Sequence, residues 1–136
     1  MSLKLTLNTD GGARGNPGPA GIGVVILDEK GSVIGQHKKY IGDATNNVAE
    51  YKALILALEQ AHALEASELI VRMDSELIVR QMQGRYKIKE PTLKLLAADV
   101  LKLKNKFASI TFTHVPREQN KLADKLVNEA IDAALA

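Results

Sequence analysis

Four acidic residues, Asp10, Glu50, Asp74 and Asp124, stand where the chain passes from one element to the next. Carboxylates drawn from separate elements can converge on hard cations, which prefer oxygen ligands. A pair of divalent ions about 4 Å apart can activate water and stabilise a leaving oxygen, as hydrolysis of a phosphodiester requires. The chain has no cysteine, so neither a disulfide framework nor a thiolate metal site is available. Singly, each acid has an ordinary role. Asp10 before two glycines could end a strand, Glu50 could favour a helix start, Asp74-Ser75 could cap a helix, and Asp124 could pair with Lys121 or Lys125. Their joint placement is what points to a metal site.

The elements that must position these acids can be read from periodicity and breakers. Alternation from Met1 to Leu7, clearest over Leu3–Thr9, predicts a strand entering Asp10, and Gly11 to Pro19 reads as a turn-dense loop. Ile22–Leu27 and Val33–Tyr40 flank the turn Asp28-Glu29-Lys30-Gly31, which predicts an antiparallel meander. A helix is expected from Thr45–Asn47 to about Leu64, with Leu54, Leu58 and Ala61 on one face. Leu69–Met73 is a strand ending at Asp74, and Ser75–Gln83 a short helix closed by Gly84. Pro91 opens a helix to about Lys106, Ser109–Val115 is a strand, and a last helix spans about Gln119–Ala134. That helix is expected to bury Leu122, Leu126, Ala130 and Ala134.

This order, β-β-β-α-β-α-α-β-α, predicts one α/β domain over residues 1–136: a mixed sheet with helices on its faces. If the first and fourth strands are neighbours, Asp10 and Asp74 lie side by side at their carboxyl ends, where open sheets bind ligands. Net charge is only +2, but Arg80–Lys106 holds eight basic residues against Glu90 and Asp99, leaving −4 for the rest. One part could hold a polyanion while another binds cations. No signal peptide or membrane-length apolar run is evident, which predicts a cytoplasmic protein without a membrane partner. No Walker pattern is present, against a nucleotide-binding reading.

Asp10-Gly11-Gly12, Gly15-Asn16-Pro17-Gly18-Pro19, Thr45-Asn46-Asn47 before Glu50, Met73-Asp74-Ser75, and Asn120 four residues before Asp124 run in order through the chain. Together they resemble the type 1 ribonuclease H family. The resemblance implies a ribonuclease H-like three-layer fold, with a five-stranded sheet in the order 3-2-1-4-5. It implies hydrolysis of the RNA strand of RNA–DNA hybrids to 5′-phosphate and 3′-hydroxyl ends, with two Mg²⁺ ions for which Mn²⁺ substitutes. Asp10, Glu50, Asp74 and Asp124 match the metal-binding acids. Asn16 and Asn47 match minor-groove readers, with Asn46 beside them, and Gly11 and Gly12 fall in the tight turn near the RNA backbone. Thr45 matches a contact to a DNA phosphate, and Ser75 follows the third acid on the substrate side. Such amides suit a wide, shallow minor groove lined by 2′-hydroxyls.

Three departures stand out. The segment Gly84–Pro91 is too short for the basic protrusion of some members; Lys87, Lys89 and Lys94 are its expected partial substitutes, and Tyr86 could stack on a deoxyribose. Glu76 replaces a frequent glutamine, placing a carboxylate where phosphate contact is expected. The family's histidine before the last acid has no loop counterpart: His114 falls in a strand, so Arg117 is the expected helper near the scissile phosphate, with His114 second. The expected partner is an RNA–DNA hybrid bound by a monomer, with no obligate protein partner. Cleavage of double-stranded RNA and a non-catalytic hybrid-binding module are the alternatives.

Overall fold

The computed structural model describes residues 3–136; Met1 and Ser2, where the alternating N-terminal segment begins, lie outside the described residues. The strands are β1 (Lys4–Ala13), β2 (Gly18–Leu27), β3 (Val33–Ala44), β4 (Glu68–Met73) and β5 (Ser109–His114). The helices are α1 (Asn46–Ala63), α2 (Glu76–Met82), α3 (Pro91–Lys104) and α4 (Lys121–Leu135), with a short 3₁₀ turn at Arg117–Gln119. The sheet order is β3-β2-β1-β4-β5. β1 pairs with β2 antiparallel and with β4 in parallel, and the parallel ladder ends at Thr9↔Met73. Asp10, still within β1, and Asp74, just past the end of β4, are the residues that follow this pair.

Alternation along the strands divides the core. Leu5, Leu7, Val24, Ile26, Leu69 and Val71 meet Tyr51, Leu54, Leu58 and Val100 from the helices on one face. Each such side chain contributes roughly 1.5–3 kcal/mol by leaving water. Val25 meets Ala123 and Leu126 of α4 on the opposite face. Tyr51 on α1 donates its hydroxyl hydrogen to Gln81 Oε1 on α2 at 2.7 Å, a buried link, and burial pushes the Tyr51 phenol up to about 12. α2 is thereby tied to α1, which fixes the strand-to-helix junction at Asp74 and Ser75.

Two sequence expectations are corrected. Gly11, Gly12, Gly18 and Pro19 are strand residues rather than loop, because β1 and β2 go on pairing to Ala13↔Ala20 and Gly18 goes on to pair with β3; only residues 14–17 connect the two. The glycines serve close approach: a Cβ on Gly11 would lie 2.3 Å from the Ala49 carbonyl carbon on α1. The stripe on α4 is also rotated. Ala123, Leu126, Val127, Ala130 and Ile131 are buried, whereas Ala134 is exposed. Gly21 and Gly23 bring β2 against the α4 backbone itself, with their hypothetical Cβ atoms 2.9 Å from Val127 O and 2.4 Å from Ala123 O. The missing side chains on β2 are therefore what let the helix lie this close, with Leu126, Val127 and Ile131 as well as Ala123 and Ala130 turned inward.

Candidate active site

Each acid reaches the sheet's carboxyl edge from a different element. Asp10 follows the end of the parallel ladder, Asp74 lies between β4 and α2, Glu50 sits near the start of α1, and Asp124 in the first turn of α4. Oxygens of Asp10, Glu50 and Asp74 lie within 4.8 Å of one another. Asp10 and Glu50 are 7% and 4% exposed. The Gly11 N–H donates to Glu50 Oε1 in a short contact, while Oε2 is buried without a partner among the described residues.

Such crowding favours protonated carboxyls. Burial, then the Asp74 charge, raises Asp10 from 3.8 to about 7, and Asp124 adds to the effect. Burial pushes Glu50 well up, reinforced by the Asp10 charge. Asp74 is raised by burial, while the Arg117 charge pulls the other way. The donor set is hard oxygen, one lone pair is stranded, and divalent charge would relieve the repulsion. These residues fit a divalent cation.

Asp10, Asp74 and Asp124 line a cleft of about 400 Å³, which also touches Gly11, Gly12, Asn46 and Arg117, while Glu50 is buried and is not part of the lining. Arg117 lies on the 3₁₀ turn with a largely exposed side chain, its Nη2 3.9 Å from Asp124 Oδ1. The departing residue Glu76 lies 3.7 Å from His114 Nδ1 at the end of β5. Neither residue lines the cleft.

The amides flank the acids. Asn16 Oδ1 accepts from Asn46 N–H at 3.0 Å, and Asn46 Oδ1 accepts from Ala13 N–H at 2.8 Å. Both carbonyl oxygens are thus used to fasten the β1–β2 connection to α1. Neither side-chain NH₂ has a partner among the described residues, so donors are what these amides offer a ligand. Thr45 caps α1 by accepting from Val48 N–H at 3.2 Å, which leaves its hydroxyl hydrogen able to donate. Asn47 follows it in the first turn of α1, half-buried. Ser75 caps α2 in the same way. Tyr86, Lys87 and Lys89 are exposed on the α2–α3 connection, away from the cleft lining.

Sequence reasoning named Asn120 only as a motif member, without a role, and missed Arg14 and Asn128. Asn120 is 1% exposed, and its Nδ2 donates to Thr9 O at 2.8 Å, so the start of α4 is bolted to the residue before Asp10. Its backbone oxygen accepts from Asp124 N–H at 3.1 Å. Arg14 and Asn128 wall the far part of the cleft. The i+4 step from Asp124 to Asn128 was the available signal for the latter.

Among the described residues no helix is long and apolar enough to cross a membrane. The family described as reverse transcriptase-like matches residues 8–130. A bifunctional protein of Mycobacterium tuberculosis is 47% identical over 133 residues, 97% of this chain but 36% of its own length. Ribonuclease HI of Halobacterium salinarum is 42% identical over 125 residues, 92% of this chain and 63% of that protein. The chain thus spans less than two thirds of these curated relatives. The solved structure of LC11-RNase H1 in complex with an RNA/DNA hybrid superposes with a TM-score of 0.94 at 58% identity, covering 97% of this chain and 99% of that one. By this coverage and identity the chain belongs to the reverse transcriptase-like family, among its type 1 ribonuclease H members.

Proposed function

We propose that this protein is a metal-dependent endoribonuclease that hydrolyses the RNA strand of RNA–DNA hybrids, leaving 5′-phosphate and 3′-hydroxyl ends. The observation that carries this is the convergence of Asp10, Glu50 and Asp74 within 4.8 Å, with Asp10 and Asp74 opening on the cleft. The similar LC11-RNase H1, solved with an RNA/DNA hybrid, supports the choice of substrate.

Asp10, Glu50, Asp74 and Asp124 would hold two Mg²⁺ ions, or Mn²⁺ in their place. When bound, the ions supply an activated water and charge to stabilise the leaving oxygen. The protein's own groups do the remainder. Gly11 N–H fixes one oxygen of Glu50, so that carboxylate is oriented before any ligand arrives. Asn120 holds α4, and with it Asp124, against β1. Arg117 reaches over the acids from an exposed turn, where a guanidinium can meet the phosphate being cut. The outward NH₂ groups of Asn16 and Asn46, with Asn47 beside them, match minor-groove acceptors, and Thr45 offers a hydroxyl to a phosphate of the DNA strand. Gly11, Gly12 and Ser75 lie along the RNA path, while Tyr86, Lys87 and Lys89 serve the DNA strand farther out. The reading takes residues 1–136 as one monomeric catalytic domain in a reducing compartment such as the cytoplasm, consistent with the absence of cysteine.

The test is cleavage of an end-labelled hybrid with and without Mg²⁺, with product ends identified and RNA and DNA duplexes run alongside. Metal-dependent cutting of the RNA strand, lost in Asp10→Asn, is expected. Hybrid binding without cleavage would leave a binding module instead, and faster cutting of double-stranded RNA would reassign the substrate.

A further inference from the structure

The cleft does not end at the carboxylates. It continues between two rails that run in the same direction. One is β1 from Asp10 through Ala13 to Arg14, about 13 Å at roughly 3.3 Å per residue. The other is one stripe of α4, where Asp124, Asn128 and Asp132 follow at i, i+4 and i+8, about 6 Å apart. The floor is open at Gly12, where an added Cβ would meet only Val127 Cγ1, at 3.7 Å. At the far end Arg14 Nη2 meets Asp132 Oδ1 at 2.7 Å and Asn128 Oδ1 at 3.2 Å. Asn128 is itself held by donating its NH₂ to Asp124 O at 3.1 Å.

This bridge is poorly explained as a stabilising contact. Its side chains are 41% and 67% exposed, the setting in which an ion pair contributes little. Both acceptors sit on one nitrogen, so among the described residues Nε and Nη1 keep their donors free. A guanidinium oriented by an amide, loosely held by an exposed carboxylate and opening on a cleft that begins at a phosphodiester-cutting centre is suited to a further phosphate.

We infer that Arg14 forms a phosphate subsite for the RNA strand beyond the scissile linkage, with Asp132 as the internal anion that the RNA phosphate displaces. The inference rests on the hydrolase reading above. It gives Arg14 and Asp132 opposite signs. Arg14→Ala removes the donor and should raise KM for a hybrid about tenfold, with kcat within about twofold, and flatten the salt dependence of binding by about one unit of log–log slope. Asp132→Asn removes the competitor and should lower KM about twofold to threefold, and this gain should vanish in the Arg14→Ala background. A neutral methylphosphonate walked along the RNA strand should weaken binding by the unsubstituted protein at one position to which Arg14→Ala is indifferent.

If the bridge only staples the β1–β2 connection to α4, both variants will lower Tm and raise KM together, which overturns the inference. Unchanged KM in Arg14→Ala overturns it as well, and a sensitive methylphosphonate position found on the DNA strand instead assigns the subsite to the wrong strand. Failure of the unsubstituted protein to cut any hybrid would sink the hydrolase reading itself, a distinct result.

Discussion

The two halves of the site are built on opposite terms. Asp10 and Glu50 lie beneath the α1 terminus, 7% and 4% exposed, clamped by a strand too close to the helix to admit a side chain. Asp124 and Arg117 face them from α4 and its leading turn, with side chains 34% and 79% exposed. The buried half holds carboxylates where water cannot relieve their repulsion, so it is oriented in advance but electrostatically strained without cations. The open half is weakly held and free to adjust to a ligand. The contrast teaches that orientation and exchange are assigned to different elements, one on each face of the sheet.

The sharpest way to break this contrast is to neutralise one acid in each half. Asp10→Asn should reduce kcat about 10³-fold or more, roughly 4 kcal/mol of transition-state stabilisation, in a Mg²⁺-dependent hybrid cleavage assay. The same variant should raise Tm of the metal-free protein, because a repelling charge has gone; Asp124→Asn should leave that Tm nearly unchanged. Next comes Gly11→Ala, which drives a methyl into the Ala49 carbonyl. Destabilisation of about 3 kcal/mol is expected in chemical denaturation, from overpacking against backbone that cannot yield.

Titration sharpens the comparison further. Because the folded protein holds on to the Asp10 proton up to about pH 7 while the unfolded chain releases it near 3.8, this group's contribution to stability is complete below about pH 4 and fades as pH climbs to 7. Metal-free protein should therefore lose about 1 kcal/mol or more across that window in denaturant titrations. Saturating Mg²⁺ should flatten the trend. The smallest effect is expected in the open half: Arg117→Ala should lower kcat about fivefold to tenfold with Tm unaltered, and unchanged turnover would remove Arg117 from the mechanism.

Much of this was legible before any coordinates. The strand order follows from a meander ahead of α-separated strands together with the family resemblance, and the junction at Met73-Asp74-Ser75 announces itself by a strand that stops at a capping pair. Glu50 was legible as a position near the start of α1, but its link to Gly11 N–H was not, since residues 39 apart meet only through the sheet. The Gly11–Pro19 segment misled because glycine marks turns and close approaches alike, and local composition does not tell them apart. The rotation of α4 was hidden for the same reason: what turns it is two glycines on β2, far away in sequence. Asn120 was visible as a motif member, whereas its bond to Thr9 O exists only in three dimensions.

Gly21 and Gly23 have a consequence for how this protein can change over generations. β2 contributes no residue to the cleft lining, yet along its α4-facing side these two positions are closed to every side chain. Any replacement would lift the helix that carries Asp124. The mutational freedom of the fourth acid is thus governed from a strand that never touches the ligand space. Variation at Gly21 and Gly23 should be purged as strictly as variation at the acids, for a reason of distance rather than chemistry.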